Sequence, residues 1–177
     1  MPPASHADPG SPCIVGGASF GGVVALEMAH HLDARACVLI GSIRSQVELP
    51  WRWRLAQPLA LLGPDRAKAV MGLVVRFGRG YLPEGTVRRF QRLLRPEAAF
   101  VRWAMCAVCR WRARLAPRGV PVFQIHGAND QTLPAALTRP DVLVPAGSHA
   151  LTLFSPAAVN AFLAAVLARP KPERPGS

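Results

Sequence analysis

The amino-acid sequence predicts an α/β fold, a parallel sheet whose chain is interrupted by a helical insertion. Three observations predict it. Residues 13–40 read as strand, glycine-rich turn, helix and strand within about 30 residues, the length of a βαβ unit. Two further strand patterns, VPVFQIHG and DVLVPAG, follow residue 119 and lead into a helical run. Between these blocks, over 44–118, apolar residues recur at helical spacing.

Residues 1–12 carry four prolines among small polar residues and read as a linker. Cys13–Val15 is a short apolar run that meets Gly16-Gly17, the pattern of a buried strand entering a tight turn. GVVALEMAHHL is helical, and ACVLIG is a second strand ending in glycine, closing a first core segment at 13–43. The insertion reads as helices at about 51–62, 64–78, 84–95 and 97–115. Pro64-Asp65 and Pro96-Glu97 suit helix starts; Gly78 and Gly80 suit a helix end. In the last of these helices Val101, Met105 and Val108 form one stripe and Trp103, Ala107 and Trp111 another, with Arg102, Arg110 and Arg112 facing water. A second core segment spans 119–169: two strands, the polar turn NDQTLP between them, SHALTLF as a loop or short turn, and the helix SPAAVNAFLAAVLA. Ser155 is its expected N-cap and Pro156 its first residue. Residues 170–177 read as a disordered tail.

Half of the 177 residues are hydrophobic and 18% are charged, enough for a packed core. The net charge is +11, from nineteen Arg and two Lys against ten acids. Residues 44–118 hold fifteen Arg, one Lys, four acids and all four tryptophans, a net charge of +12. Such a charge fits either an acidic partner or a compositional bias that writes Arg for Lys. The abundance of Ala, Pro and Gly favours the bias. No nucleic-acid-binding signature accompanies the charge, so no nucleic-acid partner is expected. Cys13 and Cys37 fall in strand runs and are expected to be buried. Cys106 and Cys109 form a C-x-x-C pair one helical turn apart, with no second pair to complete a metal site. Core filling is the expectation there, and neither a metal nor a cofactor is expected. The lack of a disulfide framework makes the cytoplasm the default location. The N-terminal residues do not read as a secretory signal, and no apolar run approaches the roughly 20 residues of a membrane span.

Chemistry concentrates at Gly17-Ala18-Ser19-Phe20-Gly21, a G-x-S-x-G between strand and helix. A turn this sharp strains the central residue and thrusts its side chain out at the sheet edge, and glycine two residues to either side avoids a Cβ collision. Gly22 allows still closer helix packing. Ser19 is thus the candidate nucleophile, at a helix N-terminus where emerging negative charge is favoured. The backbone N–H of Phe20 is a candidate oxyanion donor. The nucleotide-binding patterns G-x-x-x-x-G-K-[ST] and G-x-G-x-x-G are missing from this turn. A serine needs a base, and a histidine base works best with a carboxylate to orient it. Asp130 follows the strand VPVFQIHG and His149 follows DVLVPAG, so both are expected at the C-terminal sheet edge, with Ser19. Asp141 precedes its strand and Asp33 ends a helix, so neither suits the acid. His126, beside Gly127, reads as structural; His30 and His31 lie on a helix facing solvent; His6 is in the linker; Ser148 reads as a turn residue.

CIVGGASFGGVVALEMA, VFQIHGANDQTLP and VPAGSHALTLFSPAAVNAFL resemble the last three motif blocks of the α/β-hydrolase superfamily. HGANDQTLP is similar to its H-G-x-x-D-x-x-x-P block, and GSHALTLFSPAAVNAFL to its G-x-H block with the final helix. Ser-Phe-Gly-Gly followed by Ala-x-Glu-x-Ala resembles thioesterases and other small-acid hydrolases alike. The resemblance implies an α/β-hydrolase-type parallel sheet of about four strands, with 44–118 as a helical cap. It also implies that the N-terminal strands and the loop donating the other oxyanion N–H have no counterpart before Ser19. The function implied is a serine hydrolase cleaving a small-molecule carboxylic ester or thioester through an acyl-enzyme. Ser19 would be nucleophile, His149 base and Asp130 the orienting acid, with Trp103 and Trp111 candidates to line a substrate pocket. The alternative is a truncated or non-catalytic hydrolase-fold module. With its first strand at an open edge, the sheet is expected to allow self-association.

Overall fold

The computed structural model describes residues 13–32, 34–55, 57–78, 83–95, 98–113 and 120–169. The predicted linker at 1–12 and tail at 170–177 lie outside the described residues, as do His6, Asp33, Gly80 and the helix start predicted at Pro96-Glu97. In chain order the elements are β1 (Cys13–Ala18), α1 (Phe20–Met28), β2 (Ala34–Ile40), α2 (Trp51–Leu55), α3 (Gln57–Leu61), α4 (Pro64–Gly78), α5 (Glu84–Leu94), α6 (Ala99–Arg110), β3 (Val122–Gly127), β4 (Val142–Val144), α7 (Leu151–Phe154) and α8 (Pro156–Leu167). The chain divides into two compact units, Met1–Arg44 with Arg114–Ser177, and Ser45–Ala113.

The first unit is the α/β unit. Its four strands pair in parallel in the order β1-β2-β3-β4, so all of their C-terminal ends meet one edge of the sheet. Side chains alternate across a strand. Ala36 and Val38 of β2 and Phe123 and Ile125 of β3 therefore share a face, buried against Leu151 of α7 and Val159, Phe162 and Val166 of α8. The α8 residues recur at helical spacing and form one apolar stripe. Cys37 and Leu39 alternate with the first set and are fully buried on the other side of β2. Burial raises the Cys37 thiol to about 11. Cys13, expected to be buried, is exposed, because β1 is the outermost described strand. At the other end Val142 and Leu143 of β4 are exposed too. SHALTLF contributes the short helix α7. Ser155 stands at the N-cap position of α8, yet its side chain makes no capping bond; Pro156 opens the helix as expected.

The second unit is helical. The helix expected at 51–62 is described as α2 and α3, and the one expected to reach 115 stops at Arg110, with Trp111 extended (ψ 140°) as its C-cap. The solvent-facing role expected of Arg102 is wrong: it is 8% exposed. The last carbonyls of a helix have no partner within it. Arg102 answers this for α5, its Nη1 donating to the carbonyls of Leu93 (2.5 Å) and Arg95 (2.7 Å). The stripe expected at Val101, Met105 and Val108 also shifts. Val101 is exposed, while Ala104, Cys106, Val108 and Cys109 are buried. Cys106 and Cys109 pack with Ala67 of α4 and Trp53 of α2. Burial, with the neighbouring Cys106 adding to it, raises the Cys109 thiol to about 11. No helix among the described residues is long and apolar enough to cross a membrane.

Candidate active site

The elbow after β1 is built by close main-chain approach. A Cβ at Gly17 would strike the carbonyl group of Gly21, and one at Gly22 would meet the Ser42 side chain (Cβ at 2.5 Å). Glycine at both positions lets α1 start directly over the strand end. Gly21 differs from expectation: a Cβ there meets nothing within 4 Å, so only its main chain is part of the constraint. Ser19, between β1 and α1, adopts φ 51° and ψ −122°, and among the described residues it is the one non-glycine with positive φ. Such backbone is strained and persists only where neighbours over-determine it. Here the Ser19 N–H donates to the Ile40 carbonyl (2.9 Å), while the Ser19 carbonyl accepts from Gly22 N–H (3.0 Å) and the Ser42 hydroxyl (2.6 Å). Phe20 is the first residue of α1.

Asp130 and His149 arrive on the turns after β3 and β4. Gly127 ends β3, and a Cβ on it would lie 2.5 Å from the Gly147 carbonyl oxygen and 2.6 Å from that of Ser148. The two turns therefore touch through bare main chain, fixed by Asn129 N–H donating to Gly147 O and Ala128 N–H to Val144 O, both 2.9 Å. That contact brings Asp130 and His149 together: His149 Nδ1 lies 2.7 Å from Asp130 Oδ2, and His149 Nε2 lies 2.8 Å from Ser19 Oγ. Gly41, after β2, has φ +53° and passes beside the imidazole; a Cβ there would be 3.2 Å from His149 O and 4.0 Å from His149 Nδ1.

Electrostatics fixes the proton positions. The Asp130 side chain is fully buried, and desolvation alone would raise its pKa. Hydrogen bonds from His126, His149 and the Leu133 N–H, with the charge of His149, outweigh burial and hold it well below the usual carboxylate range. An ionised carboxylate only accepts, so Nδ1 of His149 carries a proton and, in the neutral ring, Nε2 accepts from the Ser19 hydroxyl. The His149 side chain is 27% exposed.

Ser19, Asp130 and His149 are thus brought into one hydrogen-bonded line. The other candidates stand elsewhere. Asp141 Oδ2 pairs with Arg44 Nη2 (3.0 Å) and accepts from the Gln124 N–H (2.7 Å). His30 and His31 sit in the turn after α1 rather than on the helix, His31 exposed and His30 half-buried. Trp103 and Trp111 belong to the helical unit, Trp103 with its ring 5.9 Å from Phe100. Ser42 and Gly41 carried no signal in the sequence beyond a glycine at a strand end. Their importance comes from the chain crossing beside Ser19 and His149, which no local pattern encodes.

The chain matches the model of the alpha/beta hydrolase family over residues 4–162. No curated protein matches it. Among solved structures, a hydrolase from Pseudomonas aeruginosa PA01 is 21% identical with a TM-score of 0.52, the match covering 87% of this chain and 64% of that one. An epoxide hydrolase of the alpha/beta hydrolase superfamily, from metagenomes of hot environments, is 19% identical with a TM-score of 0.53, covering 89% of this chain and 68% of that one. An alpha/beta hydrolase from a Medee basin deep-sea metagenome library is 12% identical with a TM-score of 0.50, covering 92% and 67%. At these identities the likeness is one of fold. The chain spans 64% of the length of the Pseudomonas hydrolase.

Proposed function

Since the chain belongs to the alpha/beta hydrolase family, we propose that it is a serine hydrolase cleaving a carboxylic ester or thioester of a small molecule through an acyl-enzyme. The observation that carries this reading is the line Ser19 Oγ to His149 Nε2 (2.8 Å) and His149 Nδ1 to Asp130 Oδ2 (2.7 Å). In it His149 takes the Ser19 proton as Oγ attacks the acyl carbon. The tetrahedral oxyanion develops beside the start of α1, where the Phe20 N–H donates to it. His149 then protonates the departing alcohol or thiol, and the acyl group stays on Ser19. Water reverses the sequence: His149 accepts its proton, the acid is released and Ser19 recovers its hydrogen. Asp130 stays ionised throughout, keeping the imidazole tautomer and offsetting its transient charge. Among the described residues β1 pairs with β2 alone, and that edge gives the chain a route to self-association.

The test is a fluorophosphonate probe on the 177-residue chain, together with a panel of p-nitrophenyl esters and thioesters of graded acyl length. Label is expected on Ser19 and lost in Ser19→Ala. Asp130→Asn and His149→Ala are expected to lower turnover by about 10³–10⁶ with little change in KM. Label on Ser148, or none on the folded chain, would sink the reading.

A further inference from the structure

His126 was expected to be merely structural, yet it lies against the acid of the site. Its side chain is fully buried at the C-terminal end of β3, one residue before Gly127. Nε2 is 2.7 Å from the Leu133 carbonyl oxygen, which can only accept, so Nε2 carries a proton. That same Nε2 is 3.2 Å from Asp130 Oδ2, the oxygen that faces His149. The other carboxylate oxygen, Oδ1, accepts from the N–H groups of Thr132 (2.8 Å) and Leu133 (2.9 Å). Leu133 therefore donates to the carboxylate through its N–H and receives from His126 through its carbonyl. His126 closes this ring, and of the ring's members it is the one rooted in the sheet. The turn that holds Asp130 has its own tie to β3 through the Asp130 N–H and Gly127 O (3.2 Å).

We propose that His126 is a positioning residue for Asp130: its Nε2–H, shared between Leu133 O and Asp130 Oδ2, anchors both the carboxylate and the turn beneath it to β3, and so fixes the oxygen presented to His149. The proposal rests on the reading of Asp130 and His149 as acid and base. Both the His126 and Asp130 side chains are fully buried, so the shared proton acts without competition from water. A residue that only filled space would be replaceable by an apolar one of similar size. A residue acting through Nε2–H would not be, but glutamine, whose amide nitrogen falls near the position of Nε2, would restore much of the effect.

The test uses His126→Leu and His126→Gln in the full 177-residue chain. Proton NMR of the His149 Nδ1–H is the first readout, since it needs no turnover. Its resonance is expected to be displaced from the wild-type position, or lost to exchange, in His126→Leu and to return towards that position in His126→Gln. The second readout is ester hydrolysis, where kcat is expected to fall about tenfold in His126→Leu with KM held, a part of the 10²–10⁴-fold a positioned base contributes, and to recover in His126→Gln. Equal spectra and equal kcat in wild type and a folded His126→Leu would overturn the proposal. Should His126→Leu not fold, 15N NMR of the wild type decides: a proton on Nδ1 rather than Nε2 of His126 overturns it. Absence of turnover in wild type would count against the hydrolase reading and leave the NMR arm to judge His126 alone.

Discussion

At the scale of single residues, the meeting of Asp130 and His149 depends on two glycines as much as on their own side chains. Asp130 and His149 sit on different turns, and those turns touch where Gly127 meets Gly147. A methyl group at Gly127 would lie 2.5 Å from the Gly147 oxygen, so something must move. Gly127→Ala is therefore expected to cost about 1–3 kcal/mol of stability, as overpacking does, and to draw His149 away from Asp130. Thermal melting measures the first effect and the rate of fluorophosphonate labelling at Ser19 the second. An unchanged rate would mean that the turns absorb the methyl elsewhere. Some of this was legible in the sequence. The glycines around Ser19 announced a sharp turn, and the order serine, acid, histidine after successive strand patterns picked out residues that do meet. His126 was legible as a strand-end residue but not as a donor to Asp130, because that contact depends on how the turn at 131–133 folds back. Gly21 was misread for a related reason: the motif names two flanking glycines, but only the collision at Gly17 involves its own missing side chain.

At the scale of elements, α5 and α6 are joined by a charge inside the helical unit. Arg102 is buried with its guanidinium on the carbonyls of Leu93 and Arg95, closing the C-terminal end of α5 where the helix dipole also favours a cation. Arg102→Met keeps the aliphatic bulk and removes the donors. It is expected to lower stability by about 1.5–3 kcal/mol, the range for hydrogen bonds that involve a charged group. Urea unfolding followed by circular dichroism checks it, and a midpoint equal to wild type would show that the carbonyls find other partners. Helical periodicity identified α4, α5 and α6, since spacing of apolar residues is a local property. It assigned their faces poorly. Sequence pattern sends an arginine to water by default, and nothing in the pattern of α6 reveals that an unfinished helix end lies beside position 102.

For the whole molecule, the sheet has a side that the described residues leave open. Among them β1 pairs with β2 alone, and Cys13 at its start is exposed. Open strand edges pair readily with other chains, and a lysine on such an edge discourages it. The 177-residue chain is expected to show a light-scattering mass above 19.0 kDa that rises with concentration, and Cys13→Lys is expected to move it towards the monomer. A monomeric mass at every concentration would rule the association out. The parallel sheet itself was readable from apolar runs that each end in glycine, because a buried parallel strand needs a continuous apolar stretch and a turn that leaves it abruptly. The apolar run around Cys13 pointed to burial and only the open edge expected of its strand pointed to exposure, since burial belongs to the neighbours of a strand and not to its own residues. A different consequence follows from the backbone of Ser19. Its positive φ costs about 1–3 kcal/mol that a glycine would not incur. Stability thus favours glycine at this one position, whereas the proposed chemistry needs serine. A lineage no longer selected for the proposed reaction would be free to exchange this serine for glycine and would relieve the strain by doing so. Across descendants of this chain, a glycine at position 19 would therefore mark release from selection for the proposed reaction.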